Sequence, residues 1–531
     1  MKINPMASTE SDFPQLSNPM TVSLNFDVWA LIFALLDRED FYNACLTSRA
    51  WNTMAMPYLH RSVPLTIGRR RLGRLRQGVE EDGMKRVTSL CNRLLDQKND
   101  RLRRAVRELE VGLFDDPYRE IMQKRLLKLV DSLPNLQRVK INIHGMPQKD
   151  LERLVTNKKK ISWHLYGGAV DVDGQREVSA DMPNVVALEV SVNPWYTPRR
   201  SQGPPKDLMR SLQQFFFACP NLNFFSFKLI GGYGGCMPQI HRRAVIRSFR
   251  FSGNEKFPPL GKLELSGYQP REDEWHHWQQ RFQWSKLESL SLGPRSSSEF
   301  LKLATGYARP RDLVVQQHTD EYCGINKAVW EEYLMSFSTL ESLTVRGYGL
   351  SPGLIGNHPG LKHLCLHAFE PFRAEDTRPT FGVEQLRELD RLCADIETLE
   401  LDLHRHGEWP IDIIETLATG FKNLRRLTLH LEVGIKTEYS DRELIQPQLN
   451  EASAREIGEQ FFNLRSSSSS PSSNLSVFAL KTGEPLRRFP QREPLFGRIE
   501  RENTITVEVH KPRDIGDKPK VVVLPQPSHW W

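Results

Sequence analysis

Two histidine pairs are the first residues in this chain of 531 residues whose spacing suggests metal chemistry. His276 and His277 stand side by side in "EDEWHHWQQ". Neighbours on a helix point in different directions, so this pair does not converge on one ion. His404 and His406, in "DLHRH", have strand spacing and share a face, but no acid or cysteine motif accompanies them. No metal is expected at either pair. The phosphate-binding loops also fail. Gly261-Lys262 lacks the earlier glycine and the following hydroxyl of a Walker loop. In "GGYGGCMP", Met237 stands where G-x-G-x-x-G needs its third glycine. Neither G-x-S-x-G nor H-E-x-x-H occurs. The expectation is a chain with no catalytic residues and no cofactor, hence not an enzyme.

Charge and cysteine usage narrow the class further. Lys and Arg exceed Asp and Glu by 72 − 65 = +7, a small excess for this length. The basic runs "RRRLGRLR" (Arg69–Arg76) and "NKKK" (Asn157–Lys160) have no interleaved aromatic residues, so they read as solvated faces and nucleic acid is not an expected partner. The seven cysteines are scattered, odd in number and without C-x-x-C, which suits reduced thiols inside a cell. The first twenty residues lack the apolar core of a secretory signal. The longest apolar run, Val28 to Leu36, has nine residues and is too short to span a bilayer. A cytoplasmic or nuclear protein, away from membranes, is expected.

Helices dominate the N-terminal segment. Val28, Ile32 and Leu35 recur on one helical face, with Trp29, Phe33 and Leu36 beside them, so the helix is apolar nearly all round. Asp37 can cap a second helix, and Glu39 and Asp40 suit its N-terminus. Phe41, Cys45 and Leu46 follow at helical spacing. Ser48 can cap a third helix bearing Trp51, Met54 and Ala55, with Pro57 closing it. Three helices of about 35 residues cannot bury this much apolar surface by themselves. Either the rest of the chain or a partner must cover it.

The stretch "LNFDVWALIFALLDREDFYNACLTSRAWNTMAMPYLHRSV" resembles an F-box. Leu24, Asp27, Ile32, Leu36, Asp40, Phe41, Leu46, Ser48, Arg49, Trp51, Pro57 and Leu59 occupy places in that family's pattern. The resemblance, to fungal-type F-box proteins, covers roughly 40 residues. It implies a Skp-type adaptor as partner and, through it, a cullin ubiquitin ligase. The adaptor-binding residues implied are Leu24, Val28, Ile32, Leu35, Phe41, Leu46 and Trp51. Two places depart from the pattern. Asn25 stands where the family has proline, which would pre-set the backbone, and Asp27 replaces glutamate.

A second pattern fills most of the remaining chain: a turn residue, then Leu-x-x-Leu-x-Leu. "LPNLQRVKI", "MPNVVALEV" and "CPNLNFFSF" share a Pro-Asn start, and "FPPLGKLEL", "WSKLESLSL" and "FSTLESLTV" vary it. "HPGLKHLCL", "CADIETLEL" and "FKNLRRLTL" continue it, with "RAVRELEV" and "SNLSVFAL" as outer copies. Helical patterns such as "REIMQKRLLKLVDSL" and "VEQLRELDRLC" precede many of the strand-like ends. Helix, tight turn and strand in repeated order predict an α/β solenoid, and the array resembles a degenerate leucine-rich repeat. Its spacing is irregular: the first strand anchors Leu136 and Val185 lie 49 residues apart, whereas Leu340 and Leu361 lie 21 apart.

The fold class expected is therefore α/β, with an N-terminal three-helix F-box followed by an irregular leucine-rich-repeat-like solenoid. Residues 1–22 read as a disordered tail, 23–66 as the F-box and 67–100 as a helical linker. Residues 101–464 read as the solenoid, 465–474 as a Ser-rich insert and 475–500 as a last repeat-like unit. Residues 501–531 read as a closing β-hairpin and tail. The residue between the last two apolar positions of each unit faces the open side of the sheet. Lys140, Glu189, Glu264, Thr344, Glu400 and Thr428 lie there with Ser226, Ser291 and Cys365, and the resemblance implies that this concave face holds a target protein. An F-box-like scaffold acting outside a ubiquitin ligase is the alternative.

Overall fold

In the computed structural model, the described residues are 28, 32, 36, 38–66, 77–112, 118–144, 146, 148–156, 160–168, 181–192, 208–229, 248–293, 297–316, 327–347, 349–368, 378–405, 407–433, 444–467, 475, 477–483, 503–512 and 517–524. Among the described residues, sixteen strands form one sheet in strict chain order. They are β1 (Ser62–Leu65), β2 (Glu108–Val111), β3 (Arg138–Asn142), β4 (Ser162–Gly168) and β5 (Val185–Val192). Next come β6 (Phe224–Leu229), β7 (Lys262–Ser266), β8 (Ser289–Leu292), β9 (Asp312–Gln316), β10 (Ser342–Arg346) and β11 (His363–His367). The last are β12 (Thr398–Leu403), β13 (Arg426–Leu431), β14 (Val477–Thr482), β15 (Ile505–His510) and β16 (Lys520–Leu524). Strands β1 to β14 pair in parallel, and β14–β15–β16 are antiparallel. Helices on the return path of most repeats pack on one face, and the chain is a leucine-rich-repeat-like α/β solenoid.

The repeated sequence explains the repeated turn. In "LPNL", "CPNL" and "FKNL", the Asn135, Asn221 and Asn423 side chains donate to the carbonyls of Arg104 (2.8 Å), Pro183 (2.9 Å) and Ala394 (3.1 Å). Each of those carbonyls lies in the preceding repeat. In "FSTL", Thr339 does the same with the carbonyls of Arg309 and Pro310, both at 3.2 Å. One carbonyl at the strand start then accepts two N–H groups from the next repeat. Glu341 O accepts from Lys362 and His363, Lys362 O from Glu397 and Thr398, and Glu397 O from Arg425 and Arg426. The alternate residues of the strands, such as Leu343, Leu364, Leu399 and Leu427, are fully buried beneath the helices.

The sheet is longer than the Leu-x-x-Leu-x-Leu pattern predicts. β1, β4 and β9 carry "SVPL", "SWHLYGG" and "DLVVQ", none of which completes the pattern. β4 occupies the 49-residue gap between Leu136 and Val185, with buried Trp163 in place of a leucine. β1 lies in the segment assigned to the F-box, and the following helix Gln77–Leu95 contributes Met84, Val87, Cys91 and Leu94 to the solenoid core. The array therefore begins before residue 101.

Two further expectations change. The helix Arg49–Leu59 runs through Pro57 rather than ending there. Proline supplies no N–H for the Thr53 carbonyl one turn back, and the Arg101 guanidinium donates to that carbonyl at 2.7 Å instead. The helix Glu451–Ser467 includes the first residues assigned to the Ser-rich insert. Arg465 is buried in it and donates to the carbonyls of Ala418 (3.2 Å), Gly420 (3.1 Å) and Phe421 (2.9 Å). It thereby satisfies acceptors at the C-terminal end of helix Ile411–Thr419. At Gly458 on the same helix a Cβ would lie 2.5 Å from Val509, so only glycine lets this helix close on the terminal hairpin. The tail 1–22 and the remainder of the Ser-rich insert lie outside the described residues.

Between β6 and β9 the core is aromatic: Phe216, Phe225, Phe249, Phe257, Tyr268 and Trp278 are all buried. Glu274 is enclosed with them and accepts from the Tyr268 hydroxyl at 2.7 Å. Burial outweighs its hydrogen bonds and pushes its carboxyl up to about 7. The folded chain thus holds a proton there that the unfolded chain releases at its ordinary value of 4.5. This contribution is complete below that value and is lost as pH rises through about 7. Glu274→Gln, which keeps an acceptor without the charge, is expected to match the parent at pH ~5 and to exceed it at pH ~8 by up to about 3 kcal/mol. Urea midpoints at the two pH values test this.

Candidate functional site

The outward residue of each strand forms a continuous row. Glu110 aligns with Lys140, and Lys140 with His164. A register shift follows between β4 and β5. Glu189 then aligns with Ser226, Ser226 with Glu264, and Glu264 with Ser291. Thr344, Cys365, Glu400 and Thr428 continue the row. All six residues expected to contact a target lie on this face of the sheet, with Thr428 buried there.

Charges along this face are largely paired across strands. Lys140 lies 3.3 Å from Glu110 and 5.0 Å from the centre of the Tyr166 ring. His164 Nε2 lies 2.5 Å from Glu189. The His164 hydrogen bond outweighs burial and holds the Glu189 carboxyl below its usual range. Glu264 accepts from Ser226 at 3.0 Å and meets Lys262 at 2.9 Å and Lys228 at 3.5 Å. Burial raises its carboxyl, but the two lysines more than reverse that. A partner on this face meets alternating, mutually compensated charges instead of a field of one sign.

Towards the C-terminal end the open face is covered. Strands β12 and β13 are buried on both sides over their last residues. Glu432, Arg405 and the Pro447 carbonyl build part of this cover, with Arg405 Nη1 donating to Pro447 O at 2.7 Å and Nη2 to Glu432 O. His367, Asp402 and His430, near the ends of β11 to β13, are each under one-tenth exposed. They come from three adjacent strands, and Asp402 is directly paired with His430. His367 Nδ1 stands 2.7 Å from Asp402 Oδ1, and the two imidazole rings stack at 3.8 Å. Arg378 donates to the same Asp402 oxygen at 3.3 Å, while the Ala368 N–H donates to the other. His430 Nε2 lies 2.5 Å from Glu400, and Lys481 lies 3.6 Å from the same oxygen. Burial disfavours the Glu400 charge, yet His430 and Lys481 outweigh it and hold the carboxyl far below its usual range. Burial keeps His430 below its usual value, so it donates as a neutral imidazole.

The histidines singled out in sequence are not the ones that cluster. β12 ends at Leu403, so His404 is past the strand, where its Nδ1 lies 2.8 Å from Glu432. His406 lies outside the described residues. His276 and His277, adjacent on helix Glu272–Arg281, have rings 6.0 Å apart at 79°. Cys365 neighbours Glu400, and burial, reinforced by that carboxylate, pushes its thiol up to about 12.

Helices Arg38–Thr47 and Arg49–Leu59 form an N-terminal hairpin with an apolar core of its own. Phe41, Trp51, Met54 and Tyr58 pack around Ala44 and Ala55, with Phe41 stacked on Tyr58 at 6.0 Å. Ser48 caps the second helix by accepting from the Trp51 N–H at 3.1 Å. Leu46 points outward at 67% exposed, and Tyr42, one turn away on the same face, is 58% exposed. Tyr42 was not among the residues expected to contact an adaptor. Val28 and Ile32 are helical, exposed and half-buried respectively, while Leu24 and Leu35 lie outside the described residues.

No family model matches the chain, and no curated protein matches it significantly. Among solved structures, the chain is similar to TLR13 in its complex with ssRNA13, at 13% identity and a TM-score of 0.29. The match covers 62% of this chain and 48% of that one, so this chain spans about half its length. Among the described residues, no helix is long and apolar enough to cross a membrane.

The pairing on the open face has a measurable consequence. Glu264 is the common partner of two lysines and a serine, whereas Lys140 sits in a more exposed pair. Glu264→Ala is expected to cost about 1 kcal/mol and Lys140→Ala less than about 0.5 kcal/mol. Urea denaturation of the two variants checks the order.

Proposed function

We propose that this protein is the substrate-recognition subunit of a Skp-cullin-F-box ubiquitin ligase. The N-terminal hairpin holds a Skp-type adaptor, and the open face of the solenoid holds the target protein. The chain performs no chemistry. It contributes proximity and orientation, raising the concentration of the target near the ubiquitin donor.

The observation that carries this reading is the exposed pair Leu46 and Tyr42 on a hairpin whose own core is filled by Phe41, Trp51 and their neighbours. Large apolar side chains left in water on a segment with the F-box pattern suit a partner surface. The hairpin is also anchored to the solenoid through Arg101 and Thr53, so a bound adaptor would be held in a fixed relation to the open face. The alternative, an F-box-like scaffold outside a ligase, rests on Asn25 in place of proline.

Leu46→Asp separates binding from folding, because the side chain is already exposed in the free chain. Co-expressed with a Skp-type adaptor, the parent is expected to retain it on purification. The variant is expected to lose at least tenfold in affinity, since a charge is then buried at an apolar interface. Equal retention by both would displace the interface from this face. No retention by a folded parent would favour the scaffold.

A further inference from the structure

We propose that His367, Asp402 and His430 form a binding site for one divalent transition-metal cation of the zinc and cobalt class. This goes beyond the adaptor and target reading and stands independently of it. One ligand atom from each of the three residues lies within 4.8 Å of the others, and all three residues are buried. Three parallel strands supply them, two of which are in direct register, so the sheet itself fixes their spacing.

The surroundings resemble the support that ligating residues need. A ligating carboxylate is normally oriented by further hydrogen bonds, and a ligating imidazole by a carboxylate on its other nitrogen. Asp402 is held from two sides by Ala368 N–H and Arg378. His430 is paired with Glu400, which fixes its Nε2 as the protonated nitrogen and leaves the lone pair on Nδ1. His367 Nδ1 shares a proton with Asp402 in the metal-free chain. A cation entering the cluster takes the place of that proton.

Charge balance selects the metal class. Arg378 and Lys481 already compensate Asp402 and Glu400. Hard cations such as Mg²⁺ and Ca²⁺ depend on several anionic oxygens, and this cluster offers a single carboxylate. Zn²⁺ and Co²⁺ draw affinity from neutral imidazole, and two imidazoles are present.

The test uses the full chain, stripped with a chelator and titrated with Co²⁺. The expected result is a visible d–d absorption band that saturates at one equivalent per chain and is displaced by Zn²⁺. Zn²⁺ is also expected to raise the thermal midpoint. Asp402→Asn and His430→Gln are expected to abolish the band while far-UV circular dichroism stays unchanged. His164→Gln, in the His–Glu pair near the other end of the sheet, is expected to keep it. The parent alone suffices if the variants do not fold. Absence of a stoichiometric band in the folded parent overturns the proposal, and so does a strong near-ultraviolet thiolate charge-transfer band, which would place the metal on cysteine.

Discussion

A strand in this protein has no stable existence apart from its neighbour. Most of the parallel strand starts are fixed by a carbonyl that accepts two N–H groups from the following repeat, as at Glu288, Arg311, Glu341, Lys362 and Glu397. Unpaired backbone groups in a buried sheet are costly, so every repeat depends on the one before it. The Asn side chains in the turns add a second link, from the side chain of one repeat to the backbone of the previous one. Because side chains alternate along a strand, this fixed register decides which residues reach the core and which reach the open face. Leu399 and Leu401 are buried together for the same reason that Glu400 faces outward between them.

The ends of such a ladder need separate solutions. At the C-terminal end the chain reverses: β15 and β16 pair antiparallel and close the stack. Val507 and Val509 are fully buried there, and the long helix Glu451–Ser467 seals the other side through Phe461, which stacks on Phe478 at 4.7 Å. At the N-terminal end β1 follows directly from the helical hairpin, and Arg61 O accepts from Arg107 and Glu108 in the same double pattern as the interior repeats. The hairpin is therefore continuous with the first strand of the ladder and is also tied to it by Arg101.

Sequence reading reaches far into this fold wherever hydrophobic burial and backbone pairing coincide. Eleven units of turn and Leu-x-x-Leu-x-Leu were legible, and each corresponds to a strand of the sheet. β1, β4 and β9 were not, because a parallel strand needs only alternate apolar residues, and Val63, Trp163 or Val315 serve as well as leucine. The continuation of the helix through Pro57 was invisible because its compensating donor, Arg101, lies 48 residues away. Burial of Arg465 was hidden in the same way by acceptors on another helix. The outward row was readable from strand alternation alone, but its charge pairs were not, since they depend on which strands are neighbours.

The buried histidine cluster shows where the repeat contained more than was taken from it. His367, Asp402 and His430 each follow the last leucine of their motif, in "LCLH", "LELD" and "LTLH". Extending the repeat by that one position would have aligned them on three successive units. Nothing in the local sequence, however, indicates burial on the open side of a sheet. That burial involves residues beyond the strand ends, such as Arg378, which donates to Asp402. The open face is thus divided. Its earlier strands carry half-exposed, internally compensated polar residues accessible to a partner, whereas β11 to β13 direct their final polar residues into an enclosed network. A macromolecule can read the first part by shape and hydrogen bonding. The second part is closed to a macromolecule, with two stacked imidazoles and a carboxylate held from two sides.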